Sequence, residues 1–368
     1  MTRTSRALLV LAIALAAEGC KKPADDQGQA GATGGAAAPA GAGLGDPAND
    51  KAVVELAKEA LKCGFQDTWG LKSGCPALDA WNKAEAIKGG KADATLINFL
   101  GDAQKEVRWL GAYGLYNAGQ TYKQDAAMAK KVIAAGKGEK DPTVQRKLGD
   151  AIGRIDVKKT GTGDDITRIL ITDGMTALRN GIVDGILFTN RTEGGFYDLL
   201  AKMARTEKDK TVRQAAAAAF WTGGSDRHDD TCKLWLELSD ADDDDLAGHS
   251  AYHASWWSAG GGCIGQWDAL LGVIDKRAKA GKVKSSFMTS ALGWLQKQSK
   301  ATDAQKKRAL AVARTVVETA SNDKMARGDA LRVIGENDPD AKKFAARFEN
   351  DPEFFVKSAA QRIKEGKK

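Results

Sequence analysis

The side chains best suited to chemistry crowd into one stretch of the chain. All three histidines, His228, His249 and His253, lie there with Cys232, Cys263 and a run of aspartates. His249 and His253 stand four residues apart, which on a helix puts both imidazoles on one face at a spacing able to hold a metal. Imidazole, thiolate and carboxylate this close together raise one reading: a metal-binding protein or metal-dependent hydrolase centred on His228, His249 and His253. Against it, no CxxC or HExxH spacing occurs, and in an oxidising compartment Cys232 and Cys263 would bond to each other. Metal therefore stays an alternative, and no ligand set is assigned. Asp240, Asp242 and Asp244 alternate like the start of a calcium loop, but Asp245 stands where that loop needs glycine and Ala251 where it needs an acid. The simpler expectation is that Asp245 caps a helix beginning at Leu246.

The same region gathers Trp221, Trp235, Trp256, Trp257, Trp267 and Trp294. Flat amphipathic rings bind sugars or anchor protein interfaces, although most tryptophans in a helical array belong to its core. No G-x-S-x-G elbow, phosphate-binding glycine loop or spaced Ser/His/Asp set occurs anywhere. The expectation is a non-enzymatic protein with no catalytic residue and no cofactor. The net charge of +7 is spread over 368 residues and forms no basic stripe, so nucleic acid is not an expected partner.

The elements that must position these side chains are helices. Ala, Leu, Lys and Asp are abundant while Pro numbers only seven, which favours helix over sheet. LINFLGDAQKEVRWLGAYGLYNAG, residues 96–119, reads as a half-helix, a break at Gly101-Asp102, and a second helix with Val107, Leu110, Ala112 and Leu115 on one face. Similar second helices follow, anchored at Val144, Leu178, Val212, Leu246, Val283, Met325 and Phe355, at spacings of 37, 34, 34, 34, 37, 42 and 30 residues. Positions two, six and nine after an anchor should point away from the core. That nominates Trp109, Tyr113, Tyr116, Trp221 and Tyr252, with Trp256 and Trp257 beside them, as candidate partner-binding residues.

The pattern L-x-x-L-x-D-x-x-x-x-V-R-x-x-A-x-x-x-L-x-x-x-G resembles the HEAT and HEAT-like repeat. The resemblance implies an all-α, right-handed α-α superhelix of about eight helix pairs over residues 91–368, whose second helices line a concave binding surface. It also implies that the acidic residue before each second helix and the Arg after the anchor stitch neighbouring repeats together. Asp102 with Arg108, Asp173 with Arg179, and Glu207 with Arg213 match that arrangement. Residues 51–90 lack the markers and read as an N-terminal helical cap closing the exposed end of the stack.

The first residues concern location. Arg3 and Arg6 precede an apolar run from Ala7 to Ala17, too short to span a membrane but fit for the core of a secretory signal. With Cys20 directly after, residues 1–19 resemble a bacterial lipoprotein signal peptide, which implies acylation of Cys20. Lys21 after that cysteine implies the outer membrane, on its periplasmic or surface face; plain secretion is the alternative. Residues 20–50 follow as a Gly/Ala-rich tether with nothing large enough to nucleate a core. Setting Cys20 aside leaves Cys63, Cys75, Cys232 and Cys263, an even number that pairs by proximity as Cys63–Cys75 and Cys232–Cys263; the alternative is four reduced core thiols. The chain thus reads as a membrane-anchored scaffold with a monomeric body that binds a protein partner in the cell envelope. A polysaccharide-binding module using the Trp-rich repeats is a further alternative.

Overall fold

In the computed structural model the described residues are 47–66, 70–119, 121–187, 196–220, 227–256 and 263–366. They belong to one compact unit, Leu44–Lys368. Cys20 and nearly all of the tether lie outside them.

The body is an all-α solenoid. It starts with α1 (Pro47–Ala60), a two-stranded antiparallel hairpin of β1 (Phe65–Gln66) and β2 (Gly70–Leu71), α2 (Pro76–Lys83) and α3 (Glu85–Lys88). Helix α1 therefore includes Pro47 to Asp50, part of the stretch expected to be tether, and Val53, Ala57 and Ala60 bury themselves on one of its faces. The cap, expected to be helical, also holds this short hairpin. Cys63 and Cys75 close it with a disulfide, Cα atoms 5.7 Å apart, and Cys232 and Cys263 form the second, 5.4 Å apart.

Helix pairs follow: α4 (Asp93–Phe99) with α5 (Lys105–Asn117), then, past the short α6 (Thr121–Gln124), α7 (Ala126–Gly138) with α8 (Pro142–Ile152). After the short α9 (Val157–Thr160) come α10 (Gly163–Ile171) with α11 (Thr176–Leu187), and α12 (Phe196–Thr206) with α13 (Lys210–Ala218). The remaining pairs are α14 (His228–Ser239) with α15 (Asp244–Trp256), α16 (Trp267–Lys279) with α17 (Ser286–Lys297), α18 (Asp303–Glu318) with α19 (Lys324–Asn337), and α20 (Ala341–Ala345) with α21 (Phe354–Lys364). Second helices pack in series, α5 on α8, α8 on α11 and so on to α19 on α21, forming one continuous layer. The core lies between that layer and the first helices.

In five of the second helices a capping side chain sets the rotation at the first turn. Asp141, Asp209, Asp243 and Asp323 each accept the backbone N–H groups of the second and third helical residues, and Ser285 accepts from the second. The third residue then faces inward: Val144, Leu178, Val212, Leu246, Met288, Ala326 and Val356 are buried, while Val107 of α5, whose N-cap Gln104 makes no side-chain cap bond, is half-buried. Three expected anchors were out of register. Val283 precedes α17 rather than sitting in it, and Met325 and Phe355 fall one residue early, on the exposed side. The cap of α15 is likewise Asp243, not Asp245.

The residue after the anchor makes the junctions. Arg108 donates to the carbonyls of Asp102 and Ala103 at its own turn and, through Nε at 2.7 Å and Nη2 at 3.1 Å, to Glu139 at the next. Arg179 joins the Leu170 carbonyl to Glu207, Arg213 reaches Asp243 at 2.9 Å, and Arg327 joins the Val317 carbonyl to Asp351. Each acid in turn accepts backbone N–H groups of the turn it belongs to. The acidic partner therefore lies one pair further along than expected: Arg108 contacts the Asp102 backbone, not its carboxylate, and Arg213 pairs with Asp243 rather than Glu207. Burial works against the Glu139 charge, but Arg108 and two backbone N–H groups outweigh it and hold the carboxyl below its usual range.

Where the arginine is missing, something else joins the turns. Arg277 of α16 reaches back to the Ala241 carbonyl and Asp244, and Asn322 spans the Val283 N–H and the Ala278 carbonyl. Between α8 and α11 the backbones touch directly. A Cβ on Gly149 would lie 2.3 Å from the Leu178 carbonyl oxygen, and one on Gly181 2.1 Å from that of Arg146.

The junction pairs should differ sharply in worth from surface pairs. Arg179 and Glu207 are 3% and 11% exposed, whereas Arg205 and Glu237 are 38% and 54% exposed. Arg179→Met strands a shielded carboxylate and should cost about 3–5 kcal/mol in urea denaturation. Arg205→Met should cost less than about 1 kcal/mol. Equal losses from the two variants would refute the stitching role.

Candidate binding surface

With register taken from the caps, the sixth residue after each anchor forms a row along the second helices: Tyr113, Asp150, Asp184, Ala218, Tyr252, Trp294, Arg332 and Arg362. None of these is a buried core hydrophobic. The row runs from aromatic through acidic to aromatic and then basic.

At its start, Tyr113 stacks on Trp109 with ring centroids 4.7 Å apart, and Tyr116 lies 6.4 Å beyond. Cations from α8 and the residues just after it cover these rings. Lys147 Nζ is 4.4 Å from the Tyr116 centroid and Arg154 Cζ 4.1 Å, while Lys147 also bonds Asp150 at 2.7 Å. Tyr113 and Tyr116 are half-buried. Trp109, nominated as outward-pointing, is a correction: it is only 3% exposed. The cap covers it, with Gly70 so close that a Cβ there would fall 2.1 Å from the indole and Phe65 edge-on at 6.2 Å. Gly70 adopts φ +87°, which leaves this contact to a residue without a side chain.

The second aromatic cluster bridges α15 and α17. Tyr252 packs 5.8 Å from Trp256, 6.4 Å from Trp294 and 5.7 Å from Phe287, and Trp256 and Trp294 are 5.7 Å apart. All four rings are half-buried, with part of each surface open. Trp294 and Phe287 are the members that sequence reasoning did not nominate, and Trp294 shows why. Counted from Val283 it falls at no outward position, but counted from Met288, the buried third residue of α17, it falls at the sixth. Ser285 as N-cap was the available signal. Trp221 and Trp257 lie outside the described residues.

The histidines occupy three separate environments. His228 sits at the start of α14, Nδ1 3.5 Å from Asp229 and 3.9 Å from Cys232 Sγ. His249 packs on Phe287 with centroids 4.0 Å apart. His253 is buried between Trp235 and Tyr252, each centroid at 5.3 Å. The disulfide removes Cys232 and Cys263 as thiolate ligands, and among the described residues no three His, Cys, Asp or Glu side chains converge as a metal site would require. Among those residues no helix is long and apolar enough to cross a membrane.

Burial, aided by the nearby His249, pushes the His253 pKa from 6.5 down to about 3. The depressed value means that the unfolded chain takes up a proton the folded one refuses. Stability is then complete above about pH 6.5 and declines as pH falls toward 3. At pH 5 the loss from this residue should be about 2 kcal/mol relative to pH 7, and His253→Gln should remove that part of the acid sensitivity. Parallel stability–pH curves for the two proteins would contradict the assignment.

No protein-family model matches the chain, and no curated protein sequence matches it significantly.

Proposed function

We propose that this chain is a HEAT-like scaffold, exported and lipid-anchored through Cys20 on the outer membrane, whose second helices bind another protein and which catalyses no reaction. The observation that carries this reading is the half-exposed Tyr252–Trp256–Trp294 cluster on two adjacent second helices, in line with the row of sixth positions. Rings of this kind supply large contact area at small entropic cost, and a polar or charged surround fits a protein interface. Two disulfides are compatible with an exported protein, and the Ala7–Ala17 segment ahead of Cys20 supplies the export signal in this reading.

Two measurements test it. A photo-crosslinking amino acid at Trp294 in intact cells should capture one protein, and Tyr252→Ala with Trp256→Ala should weaken that capture at least about tenfold. Capture of polysaccharide instead, or stoichiometric zinc lost on replacing His249 and His253, would replace the scaffold reading with another. For the anchor, Cys20→Ser should abolish incorporation of labelled fatty acid and release the protein from membrane fractions. Unchanged sedimentation with membranes would rule out the lipid.

A further inference from the structure

A groove of about 500 Å³ lies at the starts of α8, α11 and α13, formed by Pro142, Gln145 and Arg146 of α8 and Thr176, Ala177 and Asn180 of α11, with Met175 and Thr211 completing it. That volume is within the range of ligand sites. Arg146 and Asn180 stand at the second positions after the anchors Val144 and Leu178, one turn before Asp150 and Asp184 of the row, so the groove runs beside the row on the same helix face. Its two walls are fixed relative to each other, because a Cβ on Gly181 would fall 2.1 Å from the Arg146 carbonyl oxygen and no side chain separates them there.

Asn180 is the unusual member. It is only 9% exposed, yet among the described residues nothing bonds to its side-chain amide. A buried amide is normally paired, since withdrawing it from water without a partner is costly, and the open side of Asn180 is the groove it lines. Beside it the first turn of α11 is uncovered. Asp141 and Asp209 accept the first N–H groups of α8 and α13, but among the described residues no group accepts those of Thr176 and Ala177. Gln145 donates its Nε2 to the Glu139 carbonyl at 2.8 Å, and its own oxygen accepts nothing. The groove therefore offers donors at the Thr176 and Ala177 N–H groups and the Asn180 NH2, and acceptors at the Gln145 and Asn180 oxygens.

Charge does not select the occupant. Arg146 is the one charged residue among those lining the groove, and its Nη2 is taken by Asp184 of α11. Asp209, which accepts the Thr176 hydroxyl, is held as well by the first N–H groups of α13. We propose that the groove grips a main-chain amide of an extended, uncharged segment of the protein partner, its carbonyl oxygen on the Thr176 and Ala177 N–H groups and the Asn180 NH2, its N–H on the Gln145 or Asn180 oxygen. A peptide bond carries one donor and one acceptor, as this lining requires, whereas a carboxylate only accepts and would leave both side-chain oxygens unpaired. No aromatic ring lines the groove for a sugar to stack on. This rests on the scaffold reading above and names the part of the partner that is held.

The test uses the fact that Asn180 bonds to nothing in its own chain. Replacing it removes an unpaired buried amide, so at least one of Asn180→Leu and Asn180→Ala should melt at or above the parent, and that variant is carried forward. Random peptides displayed on phage are selected on the full-length protein, and those that bind the variant at least about tenfold more weakly are resynthesised with single main-chain amides replaced by esters. The expected result is a set of such peptides with no shared charged residue, each losing at least about tenfold on one ester replacement. If both variants melt below the parent, the amide serves the fold and the proposal is overturned. It is overturned equally if no peptide depends on Asn180, if the dependent peptides all require an Asp, a Glu or a terminal carboxylate, if every ester is tolerated, or if the variant loses binding of a maltooligosaccharide instead. When any of these occurs while a crosslinker at Trp294 still captures its protein, the groove assignment alone has failed. If that capture fails too, the scaffold reading falls with it.

Discussion

The structure depends on one recurring bond: a guanidinium that spans two consecutive turns. An isolated helix pair leaves its turn carbonyls and its apolar stripe unsatisfied. Arg108, Arg179 and Arg327 address the first problem at the moment stacking solves the second, because each bonds to a carbonyl of its own pair and to an acid belonging to the following one; Arg213 likewise bonds to the acid of the following pair. That acid is occupied on its other side by the backbone N–H groups of its own turn, which fixes where the guanidinium must land. The pair therefore sets the offset between neighbours as well as holding them. A shielded ion pair contributes little net stability against a hydrophobic substitute, and its value lies in specifying geometry.

The aromatic residues of the row follow from that offset. Because caps fix rotation and arginines fix translation, position six recurs on the same side of every second helix. Tyr252 and Trp294 meet across a helix boundary only because α15 and α17 share this phase. Trp109 shows the opposite case, an outward-facing position reclaimed by the hairpin that closes the N-terminal end.

Much of this was legible in the sequence. The period, the alternation of first and second helices and both cysteine pairs follow from residue type and spacing, and the structural role of the arginines from the resemblance to HEAT-like repeats. The register of α17, α19 and α21 did not, because a large apolar residue is a poor marker of phase near a helix start. Met325 and Phe355 look like anchors by size, yet Asp323 and the turn before Val356 place Ala326 and Val356 inward. Capping chemistry acts on backbone N–H groups at fixed positions, so it reports rotation more faithfully than hydrophobicity does. The partner of each arginine was misplaced for a related reason: an acid six residues away is close in sequence, but the helix axis carries the guanidinium toward the neighbour. The burial of Trp109 was hidden because it depends on a glycine in the cap far away in sequence.

The contact between α8 and α11 has a mechanical consequence. Apart from the approach of Gly328 to the Phe355 backbone, the neighbouring second helices elsewhere meet through side chains, which can exchange rotamers and let one helix rock on the next. At Gly149, Gly153, Gly181 and Gly185 no such layer exists, and backbone rests on backbone. Motion there would require carbonyl oxygens to climb over one another, so this junction behaves as a weld. Bending of the solenoid is then confined to the joints on either side, and the segment carrying Asp150 and Asp184 moves as one lever.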